Sequence, residues 1–494
     1  MVGHVSEHKS LLALVVGLAA AGVAALYMLG LGHPFGSGDE VIYAQNVREM
    51  LASGNYGILH WQGVAVMQRP ALPFVIASLG ARLIDGPMGL RLTSALFSLG
   101  TLALVFVLAR RASGRIEGGV AAALLCAGAP TFYTFGRTLL SDPPFVFALT
   151  VALAGATIAR ERALGLYVAG AALGVAIAMK SLAAGPPAVA LAPWLLPAAR
   201  RHGLRKTAAA AGLFLLGAAP FFVVGVSEYG VRFLREHIGY SLLARARGEL
   251  QVGMPGGGVA YVRYLWIFDG PITALWVLGG TAGATAGAIA WRDRALGVIA
   301  GYGLALLVIL SIIGTRLGHY LLPVFPAAAI ATGVLLGRGL DRLGGAGRRP
   351  IPRLAGPLLC AALMLLGMAN RRPRAQLLPD PAAVALGRAA RAVAEAPGPI
   401  YAIDWYPLAL GYYSERELRI VTASDRFYRI LDDVDFFHEA GVPMHPPPRP
   451  PGSRVLVAGP AEALAAARWL RVDREVAHAG DFRLVLGQVV DSAP

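Results

Sequence analysis

Two adjacent carboxylates open the motif Gly38-Asp39-Glu40-Val41-Ile42-Tyr43, just beyond a first apolar run over residues 11–31. An ionisable residue at a bilayer edge is a functional suspect, because burying its charge is expensive. The placement recurs at the ends of later apolar runs: Arg69-Pro70, Arg137 with Ser141-Asp142-Pro143-Pro144, Met179-Lys180, and Thr315-Arg316-Leu317-Gly318-His319-Tyr320. A carboxylate near such cations suits transfer of a group from a lipid phosphate. The phosphate is already a good leaving group, so cations that hold its developing charge suffice on that side. One carboxylate then accepts the proton of an incoming hydroxyl or amine. Asp39 is the candidate base. Tyr43, one helical turn on, shares its face if residues 39–51 begin a helix, as the apolar spacing of Val47, Met50 and Leu51 indicates. Arg69, Lys180, Arg137 and His319 are the candidates for holding phosphate oxygens.

The elements that must position these groups lie in a membrane. Over 494 residues, 56% are hydrophobic and 15% charged, which excludes an ordinary soluble protein. A net charge of +15 would fit a nucleic-acid partner, but Lys and Arg cluster in short connectors between apolar runs, as expected where a bilayer orients the chain. The partner implied is the bilayer, not nucleic acid. Cys126 and Cys360 lie inside apolar stretches as small hydrophobes, and the first run is too long for a cleaved signal sequence, so it reads as retained.

Apolar runs long enough to cross fall near 11–31, 88–109, 118–136, 143–159, 164–179, 182–198, 207–226, 270–291, 295–314, 320–337 and 354–369, about eleven spans. The shorter stretch 71–84 ends in Arg82 and Asp85 and reads as a juxtamembrane helix. With that choice Lys9, Arg110/Arg111/Arg115, Arg160/Arg162, Arg200/Arg201/Arg205/Lys206, Arg292/Arg294 and Arg338/Arg342/Arg348/Arg349/Arg353 share one side. The positive-inside rule makes that side, and the N-terminus, cytoplasmic. Asp39/Glu40, Arg69, Arg137/Asp142, Lys180, His319 and the long loop 227–268 then share the opposite face. In that loop Leu234, Ile238 and Leu242 at helical spacing, with Arg232, Arg235, Glu236 and His237 between them, predict an amphipathic interfacial helix.

After residue 370 the composition turns polar. Strand-like Ile400–Ile403, Arg454–Ala458 and Phe482–Leu486 alternate with helical stretches, and Pro446–Pro451 forms a stiff polyproline loop. The expected organisation is a transmembrane domain over 1–370 and a small extracytoplasmic α/β domain over 371–494. No internal repeat is found, which weighs against the inverted-repeat transporters.

The motifs together resemble membrane glycosyltransferases of the C-type fold. They are Asp39-Glu40-x-x-Tyr43, Arg69-Pro70, Arg137 to Pro144, Lys180 with Gly185-Pro186, and His319-Tyr320-Leu321-Leu322-Pro323, and they run in order through residues 10–370. The branch they are similar to is that of protein O-mannosyltransferases and lipid A aminoarabinose transferases. The resemblance implies an α-helical polytopic fold and inverting transfer of a sugar from a polyprenyl-phosphate donor to a lipid, glycan or protein acceptor. That reaction would take place at the periplasmic face of the inner membrane. It also implies Asp39 as catalytic aspartate and Asp142 as the second acidic position, with Glu40, Tyr43, Arg69, Arg137, Lys180, His319 and Tyr320 binding substrate. Two departures stand out: arginine replaces the usual lysine at 69, and five residues separate Lys180 from Pro186, in place of a compact Thr-Lys-Gly-Pro.

Each residue also has a plainer use. Asp39, Glu40 and Asp142 can cap or start helices; Arg69, Lys180 and Arg137 can snorkel to headgroups; His319 and Tyr320 can anchor a span at the interface. The Gly253 to Gly258 stretch lacks a P-loop ending and reads as a hinge, and His4 and His8 have no partners at metal-ligand spacing. No cofactor is required; a divalent cation at the two aspartates is the one addition left open. The competing class is a lipid or solute transporter or flippase of the cell envelope, which would place charges near span centres.

Overall fold

The computed structural model describes residues 16–36, 38–244, 247, 254, 257–344, 355–375, 377–424, 437, 439–446 and 448–491. The connector arginines at 348, 349 and 353, Lys9, His4 and His8 lie outside these, as does most of the 248–256 stretch. The chain divides into two compact units, residues 1–31 with 67–375 and residues 32–66 with 376–494.

The first unit is helical: α1 (Val16–Met28), α3 (Leu72–Leu83), α4 (Pro87–Ser113), α5 (Ile116–Gly128), α6 (Pro130–Phe135), α7 (Asp142–Ile158), α8 (Ala163–Lys180), α9 (Gly185–His202), α10 (Leu204–Leu234), α11 (Pro271–Ala290), α12 (Arg294–Ile312), α13 (Val324–Gly344) and α14 (Ala355–Ala369). Among the described residues, five helical stretches are long and apolar enough to cross a membrane: Pro87–Ser113, Ala163–His202, Leu204–Gly239, Pro271–Ala290 and Arg294–Ile312. Shorter apolar helices accompany them, and the 12 residues of α3 make about 18 Å, too little to cross. The protein is an integral membrane protein. Proline in the first turn starts α3, α4, α6, α7, α9 and α11, where its missing N–H costs nothing and its φ is already helical.

One expectation needs correction. The span over 118–136 is two helices, α5 and α6, because Ala129 is held extended (φ −60, ψ 118) by the proline that follows it. A helix does follow in the loop after α10: the chain kinks at Gly230 (φ 57, ψ −135) between two helical segments, and the second runs on as a π-wound stretch over Arg235–Ala244. There Leu234 and Ile238 are exposed, while Phe233 and His237 are buried. The side chain of Leu242 lies outside the described residues.

Helices α7, α8 and α10 pack through small residues that bring backbones together. A Cβ on Gly174 of α8 would fall 2.3 Å from the Phe214 carbonyl of α10, and one on Gly217 2.7 Å from Gly174.

The second unit is discontinuous. It holds α2 (Gly38–Ser53) and a hairpin, β1 (Leu59–Trp61) and β2 (Val64–Val66), turned by Gln62 (φ 51) and Gly63 (φ 78), the two positive φ values of a type I′ turn. The Glu49 carboxylate of α2 accepts from both turn amides, at 2.7 and 3.1 Å. The C-terminal segment adds α15 (Pro381–Arg391), β3 (Ile400–Ile403), α16 (Leu408–Ser414), β4 (Leu418–Val421), β5 (Pro443–Met444), β6 (Arg454–Pro460), β7 (Leu470–Ala479) and β8 (Phe482–Val489). They form one sheet of order β5-β4-β3-β6-β8-β7, parallel through β6 and antiparallel beyond. Tyr401, Ile403, Val457, Trp469 and Val485 centre its core. The segment carrying α2 is pinned to it: Phe35 N donates to the Tyr413 hydroxyl (2.9 Å), and Arg48 donates to the Tyr412 carbonyl (2.8 Å) while stacking over that ring.

Candidate active site

Helices α7 and α8 form an antiparallel hairpin joined by residues 159–162, so the start of one and the end of the other lie on the same side. Asp142 is the first residue of α7, followed by Pro143-Pro144, and Lys180 is the last of α8. Lys180 Nζ donates to Asp142 Oδ1 at 2.5 Å, with the side chains 15% and 5% exposed. The ammonium also lies 5.1 Å from the Tyr320 ring and 5.9 Å from that of Phe145, a cation–π setting. After Lys180 the chain makes one 3-10 turn, Ser181–Ala184, before α9. That turn is where the extra residues of the stretched Lys180–Pro186 motif go.

These groups border a cavity of about 180 Å³. Arg69, Asp142, Lys180, His319 and Tyr320 all line it, and both Arg69 and His319 act electrostatically on Asp142. His319 and Tyr320 stand on a 3-10 turn, Gly318–Leu321, that leads into α13; the His319 ring packs 5.5 Å from Phe135 and 5.0 Å from Tyr320. The rest of the wall is largely apolar, with Phe145, Leu182, Pro186, Leu306, Leu310 and Ile313. Cations at one part and hydrocarbon elsewhere fit an amphiphile with an anionic head.

Arg137 is not among the lining residues. Its Nε donates to the Tyr27 carbonyl (2.9 Å), and its guanidinium stacks 4.6 Å over Tyr133. Asp39, Glu40 and Tyr43 belong to the second unit, in the first two turns of α2. Glu40 and Tyr43 are buried and Asp39 half-buried; a Glu40 oxygen accepts from Gly36 N at 3.2 Å, which supports the helix start. Within the same unit the Tyr406 hydroxyl is pushed above its ordinary range by desolvation and then by the Asp39 carboxylate. Among the described residues no three His, Cys, Asp or Glu side chains converge as metal ligands would.

Among the polar lining residues, Gln68, Ser181 and His237 went unremarked as site groups. In sequence, His237 sits in a run of polar residues, and nothing there separates it from its neighbours.

The chain is similar to known proteins over part of its sequence and over most of its fold. Residues 37–229 match the family model of dolichyl-phosphate-mannose-protein mannosyltransferases, PMT. The crystal structure of ArnT from Cupriavidus metallidurans bound to undecaprenyl phosphate superposes with a TM-score of 0.75 at 19% identity, covering 97% of this chain and 99% of that one. The chain is thus similar to the PMT family over residues 37–229 and shares the fold of ArnT. The matched PMT domain takes in Asp39, Glu40, Tyr43, Arg69, Arg137, Asp142 and Lys180. Undecaprenyl phosphate-alpha-4-amino-4-deoxy-L-arabinose arabinosyl transferase of Edwardsiella ictaluri is 32% identical over 174 residues, 34% of this chain. A protein of the same name from Pseudomonas fluorescens is 29% identical over 175 residues. The match spans about a third of the length of these relatives (32% and 31%). An oligosaccharyltransferase of Archaeoglobus fulgidus shares the fold more distantly, at a TM-score of 0.52 and 12% identity, over 90% of this chain and 68% of that one.

Proposed function

We propose that this protein is a membrane glycosyltransferase that moves a sugar from a polyprenyl-phosphate donor to an acceptor. The observation that carries the reading is the cavity, where Arg69 and Lys180 meet a wall of Phe145, Leu182, Leu306 and Leu310. A polyprenyl phosphate needs both halves: cations for the phosphate oxygens and hydrocarbon for the chain. The names of the aminoarabinose transferases matched over residues within the chain support the same donor class.

In this reading an acceptor hydroxyl or amine attacks the anomeric carbon as the bond to the phosphate oxygen breaks, inverting the centre. The proton passes to the Asp39 carboxylate, and the electron pair leaves with the polyprenyl phosphate. Arg69 and Lys180 hold the negative charge that grows there, and Asp142 orients Lys180 through their ion pair. Tyr320 lies against the Lys180 ammonium, His319 stands at the same wall, Arg137 holds the Tyr27 backbone, and in the other unit Glu40 supports the start of the helix that bears Asp39 and Tyr43. The reaction takes place on the periplasmic face of the inner membrane, with the N-terminus cytoplasmic and residues 371–494 as a periplasmic domain that docks the acceptor, whether lipid A, another glycolipid, a polymer or a protein. Transport is disfavoured by the position of the cavity's charges, which sit at helix ends, Asp142 first in α7 and Lys180 last in α8.

The test is transfer from radiolabelled polyprenyl-phosphate sugars by purified protein in nanodiscs, with membrane extract as acceptor. Label should move with the wild type and stop with Asp39→Asn. Full activity in that variant removes Asp39 as base, and no transfer from any donor by folded wild type removes the reading.

A further inference from the structure

His237 is built in more firmly than a loop residue needs to be. The bend at Gly230 turns the end of α10 back, so that Phe233 packs on Gly225, where a Cβ would fall 2.3 Å from the ring. Phe233 stacks on the His237 imidazole at 5.3 Å and 4°, and Phe221 and Phe222 meet it edge-on at 5.0 and 5.6 Å. Only 1% of the residue is exposed.

Both ring nitrogens are engaged. Nδ1 lies 3.1 Å from the Met67 carbonyl, and Nε2 is hydrogen-bonded to Ser181 Oγ. A carbonyl can only accept, so Nδ1 carries the proton; in the neutral ring Nε2 then accepts from the Ser181 hydroxyl. The two partners sit at telling places. Met67 is two residues before Arg69, and Ser181 is the residue after Lys180. Ser181 has φ 52 and ψ −136, a conformation that a non-glycine residue keeps only when its surroundings enforce it. The hydrogen bond to His237 is such an enforcement.

We propose that His237 is a positioning residue that fixes the spacing of Arg69 and Lys180 by tying their two chain segments to one imidazole in the Nδ1–H tautomer. It touches no reacting atom. This rests on the reading of the cavity as a polyprenyl-phosphate site, and it adds a part of the outer loop to that site's frame.

Two measurements test it on the full-length protein. In the first, histidine is labelled with ¹⁵N and the His237 ring is assigned by its loss in His237→Gln. The expected ring is protonated at Nδ1 and bare at Nε2, with the Nε2 resonance moving in Ser181→Ala. Protonation at Nε2, or indifference to Ser181→Ala, overturns the proposal. In the second, binding of undecaprenyl phosphate in detergent is compared across variants. Ser181→Ala and His237→Gln should each weaken it about tenfold and lower kcat at least as much, because misplacement of about 1 Å is enough for such losses. Their melting temperatures should stay near that of the wild type. His237→Asn, which can still donate to Met67, should lie between His237→Gln and the wild type. Unchanged affinity and kcat in folded Ser181→Ala overturn the positioning role. If the wild type itself binds no polyprenyl phosphate, the donor reading fails, and the ring's protonation still decides whether His237 makes the two bonds.

Discussion

Lys180 Nζ sits 2.5 Å from Asp142 Oδ1, an ion pair that closes the α7–α8 hairpin at one end. Removing one partner of a buried pair strands the other, at about 3 kcal/mol. Asp142→Asn and Lys180→Met should therefore each lower the melting temperature in detergent, and the double variant should recover part of the loss. Strict additivity in this cycle would show that the pair is not coupled. Transfer should fall at least a hundredfold in Lys180→Met, and adding Asp142→Asn should cost little more.

Arg69 lines the cavity together with Asp142 and Lys180. Its planar guanidinium can hold a phosphate with two hydrogen bonds, while lysine offers a point charge. Arg69→Lys should keep transfer within about tenfold of wild type, whereas Arg69→Ala should lose about a hundredfold or more. Equal losses in both variants would mean that geometry, not charge, is the requirement.

Asp269 lies on the connection just before α11, where its oxygens accept from Thr131 N (2.7 Å) and Thr131 Oγ1 (2.9 Å). Burial pushes its carboxyl from 3.8 up to about 7, against the pull of those hydrogen bonds. A raised folded-state value means that the folded protein binds the extra proton between these limits. Stability should thus be greatest toward pH 4 and fall as pH rises to about 7. Melting curves from about pH 5 to pH 8 should show this slope, and Asp269→Asn should flatten it.

The seam between α8 and α10 can be probed with one methyl group. Gly174→Ala puts a Cβ 2.3 Å from the Phe214 carbonyl and should cost about 2 kcal/mol by overpacking. Gly212→Ala, also on α10, meets nothing within 4 Å and should be neutral or slightly stabilising. Detergent melting temperatures of the two variants should differ by several degrees; equal values would place the helices further apart.

The C-terminal α/β segment should not stand well by itself. Residues 377–494 expressed alone lack Phe35, Arg48 and Gln62, which bond Tyr413, Tyr412 and Leu418. Its amide spectrum should be poorly dispersed, and fusing residues 32–66 through a flexible linker should restore dispersion. A well-dispersed spectrum from 377–494 alone would refute this.

Much of the candidate site is readable because membrane topology does the sorting. Arg69, Asp142, Lys180, His319 and Tyr320 all sit at ends of apolar runs in the sequence, and these five border one cavity. Arg137 obeys the same rule yet stacks on Tyr133, because one turn of helix decides which way a side chain turns and periodicity is not that fine. His237 is legible in sequence only as part of the polar face of a loop helix, because its partner Met67 is 170 residues away. The strands β3, β6 and β8 announce themselves by apolar runs, whereas β7 carries Arg471, Asp473, Arg474 and Glu475 on an exposed edge, where charge is useful against unwanted pairing. The break at Ala129 was available from Pro130, since the residue before proline avoids helical geometry.

The joining of residues 32–66 to the last part of the chain also sets an order of events during biosynthesis. The helix bearing Asp39 emerges from the ribosome early, but the tyrosines that anchor its segment, Tyr412 and Tyr413, come 364 and 378 residues after their partners Arg48 and Phe35. Until the strands of residues 400–489 have been made, that helix has no sheet to dock on. A chain stalled before them would insert its membrane helices and still leave this helix open to proteases, so synthesis of the sheet is itself the checkpoint for assembling the acidic motif.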